Sequence, residues 1–335
     1  MDSKTKFKAL VVEKTTDKQF VREIRERTVN ELPPGDLLVR VHYSSLNYKD
    51  ALSATGHPGV TRQFPHTPGI DAAGEVVSCD DGSFTPGEKE LVTGYDLGME
   101  TDGGFGQYIR IPSTWAVRLP AGLTLRESMA LGTAGFTAAL SVLKLERAGV
   151  KPHDGEILVT GATGGVGSLA VAILARLGYR VTAATGKDGD YTFLTDLGAA
   201  KVIGRDELVV SADKPLLGER WAGAVDVVGG SMLAAVLKST KYGGAVTCCG
   251  LVGAAELPLN VYPFILRGVS LLGIDSAQCP RPIREEVWQR LATGWKPARL
   301  VEAVSECTLE GLEEKVQAIL KGNIRGRVVV NLLES

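Results

Sequence analysis

Residues 156–167 read E-I-L-V-T-G-A-T-G-G-V-G, and the helical run S-L-A-V-A-I-L-A-R-L follows at 168–177. An apolar strand, a glycine-rich turn and a helix start, in that order, make the phosphate-binding corner of a dinucleotide fold. Glycine is needed there for chemical reasons. A tight turn off a strand wants φ angles that a Cβ resists, and a pyrophosphate must come close to bare backbone N–H groups. The helix then aims its unpaired N–H donors and positive dipole end at the phosphate oxygens. A glycine triplet alone also occurs in ordinary βα turns. Here the apolar stripe Ala170, Ile173, Leu174 and Leu177, closed by Gly178, carries the stronger reading.

A second strand follows at 180–185, and the ribose-facing residue of such folds falls roughly 20 positions past the glycines. A carboxylate at that place holds a free 2′-hydroxyl, whereas this chain has Thr185-Gly186-Lys187. A small polar group followed by a cation suits a 2′-phosphate, which a carboxylate would repel. The predicted cofactor is therefore NADPH. Asp188 and Asp190 follow closely, and either could swing toward the ribose. The competing account of Lys187 is a solvated loop lysine.

The 335 residues, 44% of them hydrophobic, exceed what one core usually takes and predict two domains. A formal charge of −2 with no block of like charge speaks against nucleic acid or a membrane surface as partner. No apolar segment follows the start M-D-S-K, so no secretory signal is expected. The richest apolar run, at 158–175, is broken by the glycines of the turn, so no membrane span is expected. The cysteines, Cys79, Cys248, Cys249, Cys279 and Cys307, are odd in number and lack a C-x₂-C spacing. They support neither a zinc site nor a disulfide framework, and a reducing, cytoplasmic compartment is the simplest account.

Short strands alternate with turn clusters from Lys8 to Arg118, at 9–12, 37–43, 74–77, 91–93 and 105–111. That spacing predicts a compact, barrel-like β domain. From about Leu125 the period turns helical, and from Glu156 strands alternate with helices, at 157–160, 181–185, 201–203, 224–228, 245–249 and 270–274. Six such strands predict a doubly wound parallel sheet that binds its ligand at the carboxyl ends, beside the topological switch. Residues 309–320 read as an amphipathic helix, and 327–332 as a closing strand that returns to the first domain. The fold class is α/β.

This arrangement resembles the medium-chain dehydrogenase/reductase superfamily over essentially the whole chain. Its zinc-independent, quinone-oxidoreductase-like branch is carried by S-S-L-N-Y-K-D at 44–50, P-G-I-D-A-A-G at 68–74, G-T-A-G-F-T-A at 132–138 and the turn at 160–167. The acryloyl-CoA reductase subgroup is resembled by W-A-G-A-V-D at 221–226 and by Y-P-F-I-L-R-G-V-S-L-L-G-I-D-S at 262–276. The resemblance implies a GroES-like β-barrel domain plus a Rossmann domain, with boundaries at 1–124, 125–297 and 298–335. It also implies a homodimer, formed through the apolar strand region at 262–275.

Zinc-dependent relatives carry a ligand cysteine where this chain has Asn47, and a His-Glu pair where it has Ile70-Asp71. Asparagine and isoleucine are poor zinc ligands, and the scattered His42, His57, His66 and His153 suggest no other site, so a metal-free centre is expected. Without a Lewis acid to activate an alcohol, reduction of an electrophilic acceptor is favoured. An alkene conjugated to a thioester suits such a site. A hydride adds to its β-carbon, charge gathers on the carbonyl oxygen, and a proton reaches the α-carbon.

Tyr48 and Asn47 are the catalytic candidates. Asn47 would polarise or orient. Tyr48 would bond the nicotinamide ribose or, less favoured, donate a proton; a packed aromatic is its bland alternative. Asp50 and Asp71 are read as holding local structure. By resemblance Thr163, Gly164, Gly165 and Val166 match the pyrophosphate turn, and Thr185, Gly186 and Lys187 the 2′-phosphate site, with Arg205 as a second cation. Leu251, Ile265 and Ser276 match the nicotinamide side, and Asn323 would close over the cofactor. Lys49, Arg62 and Arg281 are possible rim cations for a CoA group. Acyl-CoA reduction, broad quinone or enone reduction, and a non-catalytic NADPH-binding role all remain open at this level.

Overall fold

The computed structural model describes residues 4–208 and 214–334, the Val301 side chain excepted. The chain forms two compact units, one made of Met1–Thr133 and Val304–Ser335, the other of Ala134–Ala303. The first opens with an antiparallel hairpin, β1 (Lys6–Lys14) and β2 (Phe20–Thr28). Then come β3 (Leu37–Leu46), α1 (Tyr48–Ala54), β4 (Asp71–Cys79), β5 (Lys89–Thr93), β6 (Tyr108–Ile111) and β7 (Val117–Arg118).

Helix α2 (Leu125–Arg147) bends at Gly132, whose φ of 53° and ψ of −158° are not helical. The chain divides beside this kink rather than before the helix begins. Contrary to the sequence expectation, α2 is by length and composition apolar enough to cross a membrane. It is, however, almost wholly buried in the protein.

The second unit continues with β8 (Glu156–Val159), α3 (Gly165–Arg176), β9 (Arg180–Thr185), α4 (Tyr191–Asp196), β10 (Lys201–Gly204) and β11 (Trp221–Asp226). It ends with α5 (Gly230–Ser239), β12 (Thr240–Cys248), α6 (Tyr262–Arg267), β13 (Ser270–Gly273) and α7 (Arg281–Leu291). The sheet runs β10-β9-β8-β11-β12-β13 with every pairing parallel. The order reverses between β8 and β11, so the carboxyl ends of those two strands mark the binding crevice.

One element differs from expectation. The stretch at 262–275 is not a strand throughout, since Tyr262–Arg267 is helix α6. Pro263 fits its first turn, and Gly268 ends it at a left-handed φ of 59°. Only Ser270–Gly273 joins the sheet, as its edge.

The chain then returns to the first unit with β14 (Val304–Cys307), α8 (Leu312–Leu320) and β15 (Arg327–Asn331). As predicted, the last strand pairs back, antiparallel to β3, and the sheet runs β14-β15-β3-β4-β5-β7 with β6 on β3. Leu37, Val39, Val41, Val76, Val92 and Val330 share one core with Leu312 and Val316, which are one helical turn apart on α8. Glu90 of β5 is fully buried, and neither carboxyl oxygen has a hydrogen-bond partner among the described residues. Burial pushes that carboxyl well above its usual range.

Candidate functional site

The turn that follows β8 is built for an anion. Thr160 Oγ1 donates to Asp226 Oδ1 at 2.7 Å and accepts from the Val227 N–H, tying the carboxyl ends of β8 and β11 together. Gly164 then caps α3 in extended conformation, and Gly165 and Val166 form its first turn, half-buried. Helical geometry leaves the N–H groups of that turn without intrahelical partners, and the dipole makes the end positive. A Cβ on Gly167 would lie 2.3 Å from the Gly161 carbonyl oxygen, so only glycine lets the helix start this close to the strand. Thr163 reaches across to Thr185 at the end of β9, with their hydroxyl oxygens 3.5 Å apart.

The ribose corner is gathered by the pairing of β9 with β10. Gly204 lies opposite Thr185, which brings Arg205 beside Gly186. A Cβ on Gly186 would sit 3.0 Å from Arg205 Cδ and Nε, so the guanidinium stem rests on the glycine backbone. The Lys187 N–H donates to Thr185 Oγ1 at 3.1 Å, which turns the chain back toward the strand end. Arg205 is 67% exposed, and its nearest carboxylate, Asp206, is 3.9 Å away. A guanidinium beside a hydroxyl and a bare backbone, with Lys187 next in the chain, fits a 2′-phosphate better than a free 2′-hydroxyl. The donor set therefore suits NADPH.

Loops at the carboxyl ends of β11 and β12 run against each other, with the Gly253 N–H donating to the Val228 carbonyl at 2.8 Å. Leu251 stands out of this region 68% exposed. Ser276 follows β13, half-buried, its carbonyl accepting from Arg284 Nη2 at 3.1 Å. Ile265 is exposed. It lies on α6, whose terminal Arg267 donates to the Lys238 and Thr240 carbonyls at the amino end of β12.

In the first unit, β3 leads directly into α1 through Asn47, the helix N-cap. Tyr48 opens the helix with its side chain 45% exposed. Asn47 is not free to polarise a ligand. Its Nδ2 donates to Asp71 Oδ2 at 2.8 Å and to Asp50 Oδ2 at 3.2 Å, and its Oδ1 accepts from Arg327 Nη1 at 3.2 Å. Asp71 also accepts from Ser45 Oγ, from the Thr133 N–H and from Thr133 Oγ1 at 2.5, 2.9 and 2.6 Å. Asp50 accepts from the Asn47 and Ile70 backbone N–H groups, at 2.7 and 2.8 Å. Burial, then the charge of Asp71, pushes the Asp50 carboxyl up to about 7, and burial lowers Arg327.

Sequence reasoning left Arg327 out altogether and gave Asp50 and Asp71 only local roles. A lone arginine opening the run R-V-V-V-N was the signal, since a charge that begins a buried strand needs a partner. Asn323 lies in the same unit, exposed, just past α8. Lys49 is half-buried and Arg62 exposed, whereas Arg281 is bonded to Glu285 at 2.8 Å. Among the described residues no group of three or more His, Cys, Asp or Glu side chains is assembled to hold a metal. His66 is bound to Ser53 and the Gly98 carbonyl, and burial pushes it down to about 4.

The cysteines are all free. Burial raises the thiols of Cys248 and Cys279, and pushes Cys249 up to about 12 and Cys307 to about 11.

Two family models match the two units. An alcohol dehydrogenase GroES-like domain matches residues 33–121 and a zinc-binding dehydrogenase domain matches 165–293. Acrylyl-CoA reductase AcuI of Ruegeria pomeroyi is 46% identical over 97% of this chain and 99% of its own. The chain is a medium-chain dehydrogenase/reductase. Within that family, YhfP of Bacillus subtilis, named as a quinone oxidoreductase, is also 46% identical, over 98% of this chain and 99% of its own. The crystal structure of YhfP has NAD bound and matches this medium-chain dehydrogenase/reductase with a TM-score of 0.96. The YhdH oxidoreductase of Salmonella enterica, in complex with NADP, matches with a TM-score of 0.94 at 44% identity, over 97% of this chain and 99% of its own.

Proposed function

We propose that this enzyme is an NADPH-dependent reductase of an activated C=C bond, acting on acryloyl-CoA or a close enoyl-CoA to give the saturated acyl-CoA. The observation that carries the proposal is the full-length identity to an acrylyl-CoA reductase. The cationic ribose corner of Thr185, Lys187 and Arg205 agrees with it. Broad quinone or enone reduction is the second reading, supported by the equal identity to YhfP.

When bound, NADPH supplies the hydride. The chain holds the pyrophosphate with the first-turn N–H groups of α3, and the 2′-phosphate with Lys187 and Arg205. Leu251 and Ser276 line the nicotinamide side in this reading, and Asn323 covers the cofactor. Tyr48 offers its hydroxyl to the reacting pair as an orienting donor, and a Tyr48→Phe variant then loses turnover only modestly. A loss of several orders of magnitude would instead make the hydroxyl the proton source.

The protein works as a cytoplasmic homodimer in this proposal. The edge strand β13 lies in the same unit as an α6 helix with Val261, Tyr262, Ile265 and Leu266 exposed at or beside it. An apolar face beside an open edge strand is usually covered.

NADPH absorbance followed with acryloyl-CoA, crotonyl-CoA and a benzoquinone side by side, with NADH as control, tests the whole reading. Fast turnover confined to the acyl-CoA substrates and selective for NADPH is expected. Comparable quinone turnover would establish the second reading. Tight NADPH binding with no acceptor reduced would refute both and leave a non-catalytic binding protein.

A further inference from the structure

Arg327 opens β15 yet is only 3% exposed, and its guanidinium is held from every side. Nε donates to the Ala130 carbonyl at 3.3 Å. Nη1 donates to the Leu46 carbonyl at 3.1 Å and to Asn47 Oδ1 at 3.2 Å. Nη2 donates to Ser45 Oγ at 2.7 Å and stands 3.8 Å from Asp71 Oδ2. The arginine thus grips both sides of the step from β3 into α1.

The surroundings leave no slack. Gly132 passes so close that a Cβ there would lie 2.5 Å from Asp71 Oδ2, 2.6 Å from Ser45 Oγ and 2.7 Å from Arg327 Nη2. Helix α1 has only 7 residues, too few to fix its own first turn in water. Where Tyr48 stands is therefore decided by what anchors Asn47.

We propose that Arg327 is a positioning residue for the reduction: through Asn47 it sets the start of α1, and so the place of the Tyr48 hydroxyl. This rests on the reading of Tyr48 as the group that meets the reacting pair. The charge of Arg327 is buried and acts through its neighbours. Asp71 balances it, and Ser45 bridges the two. The C-terminal strand is thereby a working part of the site rather than only a closure of the sheet.

The test measures kcat, KM and the NADPH Kd of the Arg327→Met and Arg327→Lys enzymes, with whichever acceptor the wild type reduces. Acting through the Tyr48 hydroxyl, Arg327→Met should lower kcat by about threefold or more, and by no more than Tyr48→Phe does, while the NADPH Kd stays within about twofold. Arg327→Lys, which keeps the charge, should recover part of the loss. Combining Arg327→Met with Tyr48→Phe should cost less than the product of the single losses, because one acts through the other.

A kcat within about twofold of wild type, or losses that multiply in the double variant, overturns the proposal. Should Arg327→Met fail to fold, Ser45→Ala keeps both charges and removes only the bridge. Its kcat should fall in the same direction, and hydrogen exchange at residues 47–54 should quicken while α3 is unchanged; unchanged exchange at 47–54 overturns the proposal even where no acceptor is reduced. A wild type that reduces quinone but not acryloyl-CoA would refute the acyl-CoA reading and leave this test intact.

Discussion

Replacing Arg205 by alanine separates the two nicotinamide cofactors, and its size follows from where the side chain lies. A hydrogen bond to a charged group contributes about 1.5–3 kcal/mol when well sheltered. Arg205 is 67% exposed, so solvent screening leaves about 1 kcal/mol of that against a 2′-phosphate. The NADPH Kd should rise about fivefold, whereas that of NADH, which has no such phosphate, should move by less than about twofold. Lys187→Glu reverses a charge at the same corner and should act in the same direction, more strongly. Fluorescence titration of each cofactor at about 0.05 M and about 0.5 M salt checks the argument, since a screened contact should lose most of its cofactor selectivity at high salt. Equal weakening of both cofactors, or a salt-independent difference, would refute the assignment of this corner.

Asp50→Asn should change the pH dependence of stability. The folded carboxyl sits at about 7 against 3.8 unfolded, so its proton-linked contribution is complete below 3.8 and fades as pH rises to about 7, by up to about 4 kcal/mol at about 1.36 kcal/mol per tenfold. Urea unfolding across that range should show the wild type losing stability relative to the variant; parallel curves would contradict it. Gly132→Ala combines a φ of 53° with a Cβ lodged in the ion pair and should cost about 3 kcal/mol or more, seen as a fall in Tm. Glu90→Leu removes an unpartnered buried carboxyl and should stabilise by about 1–3 kcal/mol. That gain should widen as pH rises above 4.5, because the wild-type folded state keeps its proton longer than the unfolded chain, and a loss in urea midpoint at neutral pH would sink it.

The parallel sheet was legible because its strands hold short apolar runs ended by turns, although β12 begins at Thr240, ahead of the apolar run that marks it. The Gly161–Gly167 corner was legible because its glycines answer a local steric need. Elements governed by distant partners were not. Strand β2, F-V-R-E-I-R-E-R-T, is charged along its length and pairs only with β1, so no buried face marks it. Helix α6 hid because Val261, Tyr262, Phe264 and Ile265 favour strands. Asn47 and Tyr48 could be singled out from sequence, but the fate of the asparagine amide could not. It is settled by Arg327, which is remote along the chain and arrives only when β15 pairs with β3.

The raised thiols have a chemical consequence for an enzyme that takes up an activated alkene. Such acceptors alkylate thiolates readily, and the thiolate rather than the thiol is the attacking species. Burial disfavours the thiolate at Cys248, Cys249, Cys279 and Cys307. The burial that raises these four thiols therefore also makes them poorer targets for an electrophilic acceptor.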